Sequence, residues 1–77
     1  MHKATIKLDT INDVKAFVNT VAAFDFDVDL VSGRYAVDAK SIMGIFSLDL
    51  SKPIQLQAHT DHPEVFFEKI KDFTIEG

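Results

Sequence analysis

The sequence predicts an α+β fold, an open-faced β-sandwich in which a four-stranded antiparallel sheet carries three helices on one face. Two observations lead to this prediction. Four short segments alternate apolar and polar residues, as strands with one buried face do. Three further segments are predicted to be helices. Two of them combine helix-capping residues with apolar residues at three- and four-residue spacing, and the middle one has a capping residue and is long enough for two helical turns. Together these segments give the order β-α-β-β-α-β-α, which lets helices cover one face of an open sheet.

Length and composition limit the class of protein. A chain of 77 residues has room for one hydrophobic core, so we expect a single domain over residues 1–77. Apolar residues make up 47% of the sequence, enough for a packed core. Cysteine is absent, which excludes a disulfide framework, a thiolate zinc site and a cysteine nucleophile.

Charge and hydropathy bear on partners and location. The net charge is −4 and basic residues form no cluster, so binding to nucleic acid is disfavoured. No apolar run is long enough to span a bilayer, and no signal peptide is apparent at the start. We therefore expect a cytoplasmic protein without a membrane partner.

The strands are predicted from alternation. They are Ala4–Leu8, Phe24–Leu30, Tyr35–Ala39 and Ile54–Ala58. A turn at Ser32-Gly33-Arg34 joins the second and third strands. The second strand carries aspartates at positions 25, 27 and 29 on its predicted solvent face. A calcium loop is the less favoured alternative for them, because the glycine and the bidentate glutamate of an EF-hand are missing.

The first and last helices are predicted from caps and periodicity. Thr10 and Asp13 resemble a capping box at the start of a helix over residues 11–23. Asp61 is the predicted N-cap of the last helix, with Pro63 in its first turn, and that helix runs to about residue 72. The predicted buried stripes of these two helices are Ile11, Val14, Phe17 and Val21, and Val65, Phe66, Ile70 and Phe73. Residues 74–77 are predicted to form a tail.

The middle helix is predicted from the stretch Lys40-Ser41-Ile42-Met43-Gly44-Ile45-Phe46-Ser47-Leu48. Ser41 is a good N-cap, and the residues from Ile42 to Leu48 suffice for about two turns. Pro53 disfavours helix in the residue before it and so limits how far the helix extends.

This stretch and the order of elements resemble HPr, the histidine-containing phosphocarrier protein family of the bacterial sugar phosphotransferase system. A Lys-Ser-Ile-Met-Gly run opens the middle helix of that family, and the resemblance covers residues 17–50 best. The family's second motif, Gly-aliphatic-His-Ala-Arg-Pro, is missing here. Residues 9–13 read Asp-Thr-Ile-Asn-Asp and contain no imidazole to accept a phosphoryl group. We therefore expect no phosphocarrier chemistry by the usual route.

The resemblance also implies roles for the middle helix. In the family the serine matched by Ser41 is phosphorylated by a serine kinase/phosphorylase, and the product acts with a transcriptional regulator. The family's exposed docking patch matches Ile42, Met43 and Phe46. The alternatives are that Ser41 is only a helix cap and that the apolar residues pack in the core, a role that suits Ile45 and Leu48 better.

These residues lead to one favoured function and two alternatives. The favoured function is a non-catalytic regulatory module that binds protein partners, with Ser41 as a phosphorylation switch. The alternatives are an unorthodox phosphoryl carrier that uses His59 or His62, and a purely structural partner-binding domain. No arrangement for an enzyme and no cofactor site is apparent. A metal site at His59, Asp61 and His62 is a further, less favoured possibility.

Overall fold

A computed structural model describes residues 2–75 and contains four strands, three α-helices and one 3₁₀ turn. In chain order they are β1 His2–Ile6, α1 Ile11–Ala22, β2 Val28–Ser32, β3 Tyr35–Asp38, α2 Ile42–Phe46, β4 Ile54–Ala58, α3 Glu64–Ile70 and a 3₁₀ turn Lys71–Phe73. The strands form one antiparallel sheet in the order β1-β4-β2-β3. The predicted fold class and order of elements are confirmed.

The core lies between the sheet and the helices. At the centre of the sheet, Leu56 of β4 pairs with Ala4 of β1 on one side and with Leu30 of β2 on the other. Phe17 of α1 and Phe66 of α3 are both fully buried. Burial of one large apolar side chain contributes about 1.5–3 kcal/mol, so this layer supplies most of the driving force for folding.

Phe66 is also the centre of an aromatic cluster beneath α3. Its ring centroid lies 5.2 Å from that of Phe24, 5.3 Å from that of Phe26 and 5.5 Å from that of Phe67. All three pairs are edge-to-face, the geometry that the quadrupoles of aromatic rings favour.

The second strand is shorter than predicted. It begins at Val28 rather than Phe24, although the predicted alternation in burial persists through residues 24–27. The physical reason is the lack of a neighbour: β4 ends at Ala58, opposite Val28, so most of the preceding segment has no strand to pair with. Phe24 and Phe26 instead pack on the aromatic cluster.

Other boundaries also differ from the prediction. The first strand is displaced toward the N-terminus and ends at Ile6, yet Leu8 is still buried. The third strand ends at Asp38, just before the buried Ala39. The middle helix ends at Phe46 rather than Leu48, because Ser47 N and Leu48 N bond to carbonyls three residues back and tighten the last turn.

The predicted cap of the first helix is confirmed, whereas that of the last helix is wrong. Thr10 Oγ1 accepts from Asp13 N at 3.0 Å, and Asp13 Oδ2 accepts from Thr10 N at 3.1 Å, so the capping box is complete. The last helix begins at Glu64 with Pro63 as its N-cap and no side-chain cap bond, and Asp61 lies outside it.

The last helix is followed by chain that pairs with β1. The helix ends at Ile70, two residues before the predicted end. Thr74 forms an antiparallel bridge with Ile6, and Ile75 N donates to Thr5 O at 2.9 Å. The first half of the predicted tail is therefore bound to the sheet, and residues 76–77 lie outside the described part of the chain.

Candidate functional site

Ser41 is the N-cap of the short helix α2, and hydrogen bonds connect it both to the helix that follows and to the residues that precede it. Its Oγ accepts a hydrogen bond from Gly44 N at 3.1 Å, and its carbonyl accepts from Ile45 N at 3.0 Å. On the preceding side, Ser41 N donates to Asp38 O at 3.0 Å, and Lys40 N donates to Asp38 Oδ1 at 2.8 Å. The predicted cap is confirmed, and Ser41 itself is half-buried.

Helix α2 packs against both β3 and α1. Lys40 Nζ donates to the carbonyl of Phe24 at 2.6 Å, which places the start of α2 near the end of α1. Lys7 Nζ donates to the carbonyl of Leu50 at 3.0 Å, which places the chain after α2 near the loop that leads into α1. A Cβ added at Gly44 would lie 3.3 Å from Val37 Cβ, so glycine permits this close approach to β3.

The apolar residues of α2 divide between core and surface. Ile45 is fully buried and Leu48 is 7% exposed, so the prediction that these two pack in the core is confirmed. Met43 is 76% exposed and Phe46 is 41% exposed. Ile42 is half-buried and packs against the core, so it contributes less to the surface. We call Met43, Phe46 and the exposed part of Ile42 the α2 face.

The start of α1 carries acidic residues. Asp13 takes part in the capping box with Thr10, and Asp9 forms an ion pair with Lys7 at 2.6 Å. Thr10 Oγ1 serves as the cap acceptor, and residues 9–13 include no imidazole and no cation.

His59 lies at the other end of the sheet from the start of α1. Ile6, four residues before Thr10, pairs with Ile54, whereas His59 follows Ala58 at the far end of β4. His59 Nε2 is 2.8 Å from Asp29 Oδ2, and both side chains are partly exposed. Along residues 2–75 no group of three or more side chains is arranged to bind a metal, so nothing in the structure supports a metal site at His59, Asp61 and His62.

The aspartates of the predicted second strand do not form a calcium loop either. Asp25 and Asp27 precede β2, and only Asp29 lies within it. Asp27, Asp29, Asp38 and His59 line a shallow depression of about 450 Å³.

The prediction that Ile11 and Val65 belong to the buried stripes of their helices is wrong, and the exposure of Tyr35 was not anticipated. Ile11 is 61% exposed at the first position of α1, Val65 is 62% exposed in α3, and Tyr35 is 70% exposed in β3. Two of them lie in the first turn of a helix, where periodicity alone does not show whether the turn extends past the sheet. Tyr35 lies in a strand at the edge of the sheet, and which strand lies at the edge depends on the sheet topology rather than on the alternation of residues.

Comparison with known proteins assigns the family. The family model described as "PTS HPr component phosphorylation site" matches residues 12–75, most of the chain. The chain belongs to the HPr family. The match includes α2 and Ser41 but begins after Thr10. HPr proteins are phosphocarriers rather than enzymes, and they interact with other proteins of the phosphotransferase system.

Solved HPr structures agree with this assignment. The crystal structure of HPr-C-His from Thermoanaerobacter tengcongensis has a TM-score of 0.79 and 29% identity, covering 94% of this chain and 89% of that one. The phosphocarrier protein HPr from Bacillus anthracis str. Ames has a TM-score of 0.72 and 20% identity, covering 96% of each chain, and supports the fold alone. No curated protein matches the sequence. None of the helices within residues 2–75 is long and apolar enough to cross a membrane.

Proposed function

We propose that this HPr-family chain is a regulatory docking module that does not itself carry phosphoryl groups. It binds protein partners of the phosphotransferase system through the α2 face, and phosphorylation of Ser41 modulates that binding. The observation that carries the proposal is the exposure of Met43, 76%, on a helix that Ser41 caps two residues earlier. Methionine and phenylalanine on a surface suit a partner interface.

The loss of carrier chemistry follows from the start of α1. A phosphocarrier needs an imidazole that forms a labile phosphoramidate, and a nearby cation to stabilise the added charge. Residues 9–13 contain no imidazole, the neighbouring cation Lys7 is already paired with Asp9, and the carboxylates of Asp9 and Asp13 would repel an incoming phosphoryl donor. His59 lies at the opposite end of the sheet and is already paired with Asp29.

The switch rests on the position of Ser41 beside the α2 face. A serine kinase would transfer the γ-phosphoryl group of ATP to Ser41 Oγ, with loss of the hydroxyl proton and release of ADP. Because Oγ only accepts in the cap bond to Gly44, the hydroxyl proton is free to leave. The phosphate would place a charge of about −1.5 to −2 beside Met43, and so change the affinity of an apolar partner surface. The serine kinase/phosphorylase and a transcriptional regulator are the partners that the family resemblance suggests.

The test is phosphorylation by an HPr serine kinase with ATP, followed by intact mass and kinetics. Ser41→Ala should abolish the gain of one phosphoryl group, whereas Ser47→Ala, a serine at the other end of the same helix, should not. Met43→Asp should lower kcat/KM by roughly tenfold, the effect of losing about 1.4 kcal/mol at an interface. Val65→Asp is the matched control, because Val65 is similarly exposed but lies in α3.

Each result separates the parts of the proposal. Phosphorylation on another residue, or none at all, would exclude the serine switch. Equal effects of Met43→Asp and Val65→Asp would show that the α2 face has no special role in docking with the kinase. A chain that gains phosphate from phosphoenolpyruvate instead would be a carrier after all.

A further inference from the structure

The outer edge of β3 is an open sheet edge. Strand β3 is the last in the order β1-β4-β2-β3, and within residues 2–75 it pairs only with β2. At the opposite side of the sheet, Thr74 and Ile75 already pair with the second half of β1. An exposed edge strand presents backbone groups that are ready to pair with another strand.

The register shows which groups of β3 point outward. Ala39 N donates to Val28 O at 2.8 Å, so in an antiparallel ladder Val37 and Tyr35 also direct their backbone groups toward β2. Ala36 and Asp38 therefore direct theirs away from the sheet. The outward carbonyl of Asp38 already accepts from Ser41 N at 3.0 Å, whereas the register leaves the N–H and C=O of Ala36 facing away from β2.

We infer that this edge pairs with the same edge of a second copy of the chain and forms a two-fold symmetric, eight-stranded sheet. This self-association is separate from the proposed docking function of the α2 face. If two β3 strands pair antiparallel about Ala36, that residue meets its own copy and their backbone groups exchange two hydrogen bonds. Arg34 of each copy then lies opposite Asp38 of the other. Tyr35 lies opposite Val37, an aromatic and β-branched pair of the kind that stabilises antiparallel strands.

The partner that fits the edge of β3 is a second copy of the chain, because the residues along this strand are self-complementary. Arg34 and Asp38 have opposite charges, are both exposed, and form no ion pair within the described residues. Asp38 Oδ1 accepts from Lys40 N at 2.8 Å, which leaves Oδ2 of that carboxylate for a cation across the edge. Opposite charges facing each other across strands are favourable, and like charges are not. Tyr35, 70% exposed in the single chain, gains a partner side chain in the pair. A four-residue strand gives a small interface, so the association should be weak and detectable only at high protein concentration.

The test mixes two charge variants. Arg34→Asp alone and Asp38→Arg alone each place like charges opposite one another in a self-pair, so each should remain monomeric. In a mixture of the two, every facing pair has opposite charges, and association should return. Analytical ultracentrifugation and ¹⁵N chemical shifts at millimolar concentration give the readout, with shifts expected at Ala36. Lys15→Asp, on the exposed side of α1, is the control for net charge.

A second variant does not depend on charge. Ala36→Pro removes the outward N–H and should abolish association, while an edge position tolerates proline. Unchanged circular dichroism would verify that this variant folds. If the native chain stays monomeric at millimolar concentration, or if the mixture associates no better than either variant alone, the inference is wrong. Shifts confined to Met43 and Phe46 would also overturn it, because they would place the contact on the α2 face.

Discussion

Removing the cap of α2 tests whether Ser41 has a structural role in addition to its proposed regulatory one. Ser41→Ala deletes the acceptor of the 3.1 Å bond from Gly44 N and leaves that N–H without its partner. Loss of an N-cap side chain costs about 1 kcal/mol. In a domain of this size, 1 kcal/mol corresponds to a fall in Tm of about 4–8 °C. Because α2 has only five residues, a single cap bond is a large share of its stabilisation.

Ser41→Asn separates the cap from phosphorylation. Asparagine caps helices about as well as serine, so the free energy of unfolding should stay within a few tenths of a kcal/mol of the native value. It cannot be phosphorylated at that position. Urea denaturation gives the free energies, and hydrogen exchange at Gly44 N–H reports on the cap itself. Exchange at Gly44 should accelerate in Ser41→Ala and remain native-like in Ser41→Asn.

Two outcomes would contradict the capping role of the Ser41 hydroxyl. Equal destabilisation by alanine and asparagine would mean that the hydroxyl of Ser41 contributes something other than the cap bond. No destabilisation by either would mean that α2 is held by Ile45 and Leu48 alone. Only if asparagine restores stability can a loss of regulation in Ser41→Asn be assigned to the missing phosphate.

Three further predictions concern the rest of the fold. Phe66→Ala should destabilise by about 3–5 kcal/mol in denaturant melts, because it opens a cavity at the centre of the aromatic cluster. Thr10→Ala should cost about 1 kcal/mol, because it breaks the bond from Asp13 N, and a larger loss would contradict a purely capping role. The hydroxyl and the backbone N–H of Ser51 lower the pKa of Asp49, so its contribution to stability is present above the ordinary carboxyl pKa and disappears as pH falls through the lowered value. NMR titration, together with acid unfolding of Asp49→Asn, should therefore show the difference from the native chain shrinking at low pH.

The fold class could be predicted from the sequence because local signals agreed with the global architecture. The capping box of Thr10 and Asp13 and the alternation in β4 both correspond to observed structure. The start of β2 was predicted wrongly, because alternation indicates which side chains are buried but not whether the segment has a neighbouring strand to pair with. Phe24 and Phe26 alternate correctly, yet they pack on Phe66 from a loop.

The last helix shows a second limit of pattern reasoning. Asp61 and Glu64 have the spacing of a capping box, but Pro63 occupies the N-cap position and the box does not form. The division of α2 into buried Ile45 and exposed Met43 was foreseen in outline, through family resemblance rather than periodicity. No pattern indicated that Lys40 binds the carbonyl of Phe24, because that contact depends on how α2 lies beside α1.

The most direct test of the central claim is phosphorylation by phosphoenolpyruvate and the first enzyme of the phosphotransferase system. We expect no acid-labile label on this chain under conditions that fully label an HPr protein with its histidine motif. The reason is that residues 9–13 contain no imidazole and that His59 lies at the far end of the sheet. An acid-labile label located by mass spectrometry on His59 or His62 would show that the chain carries phosphoryl groups after all.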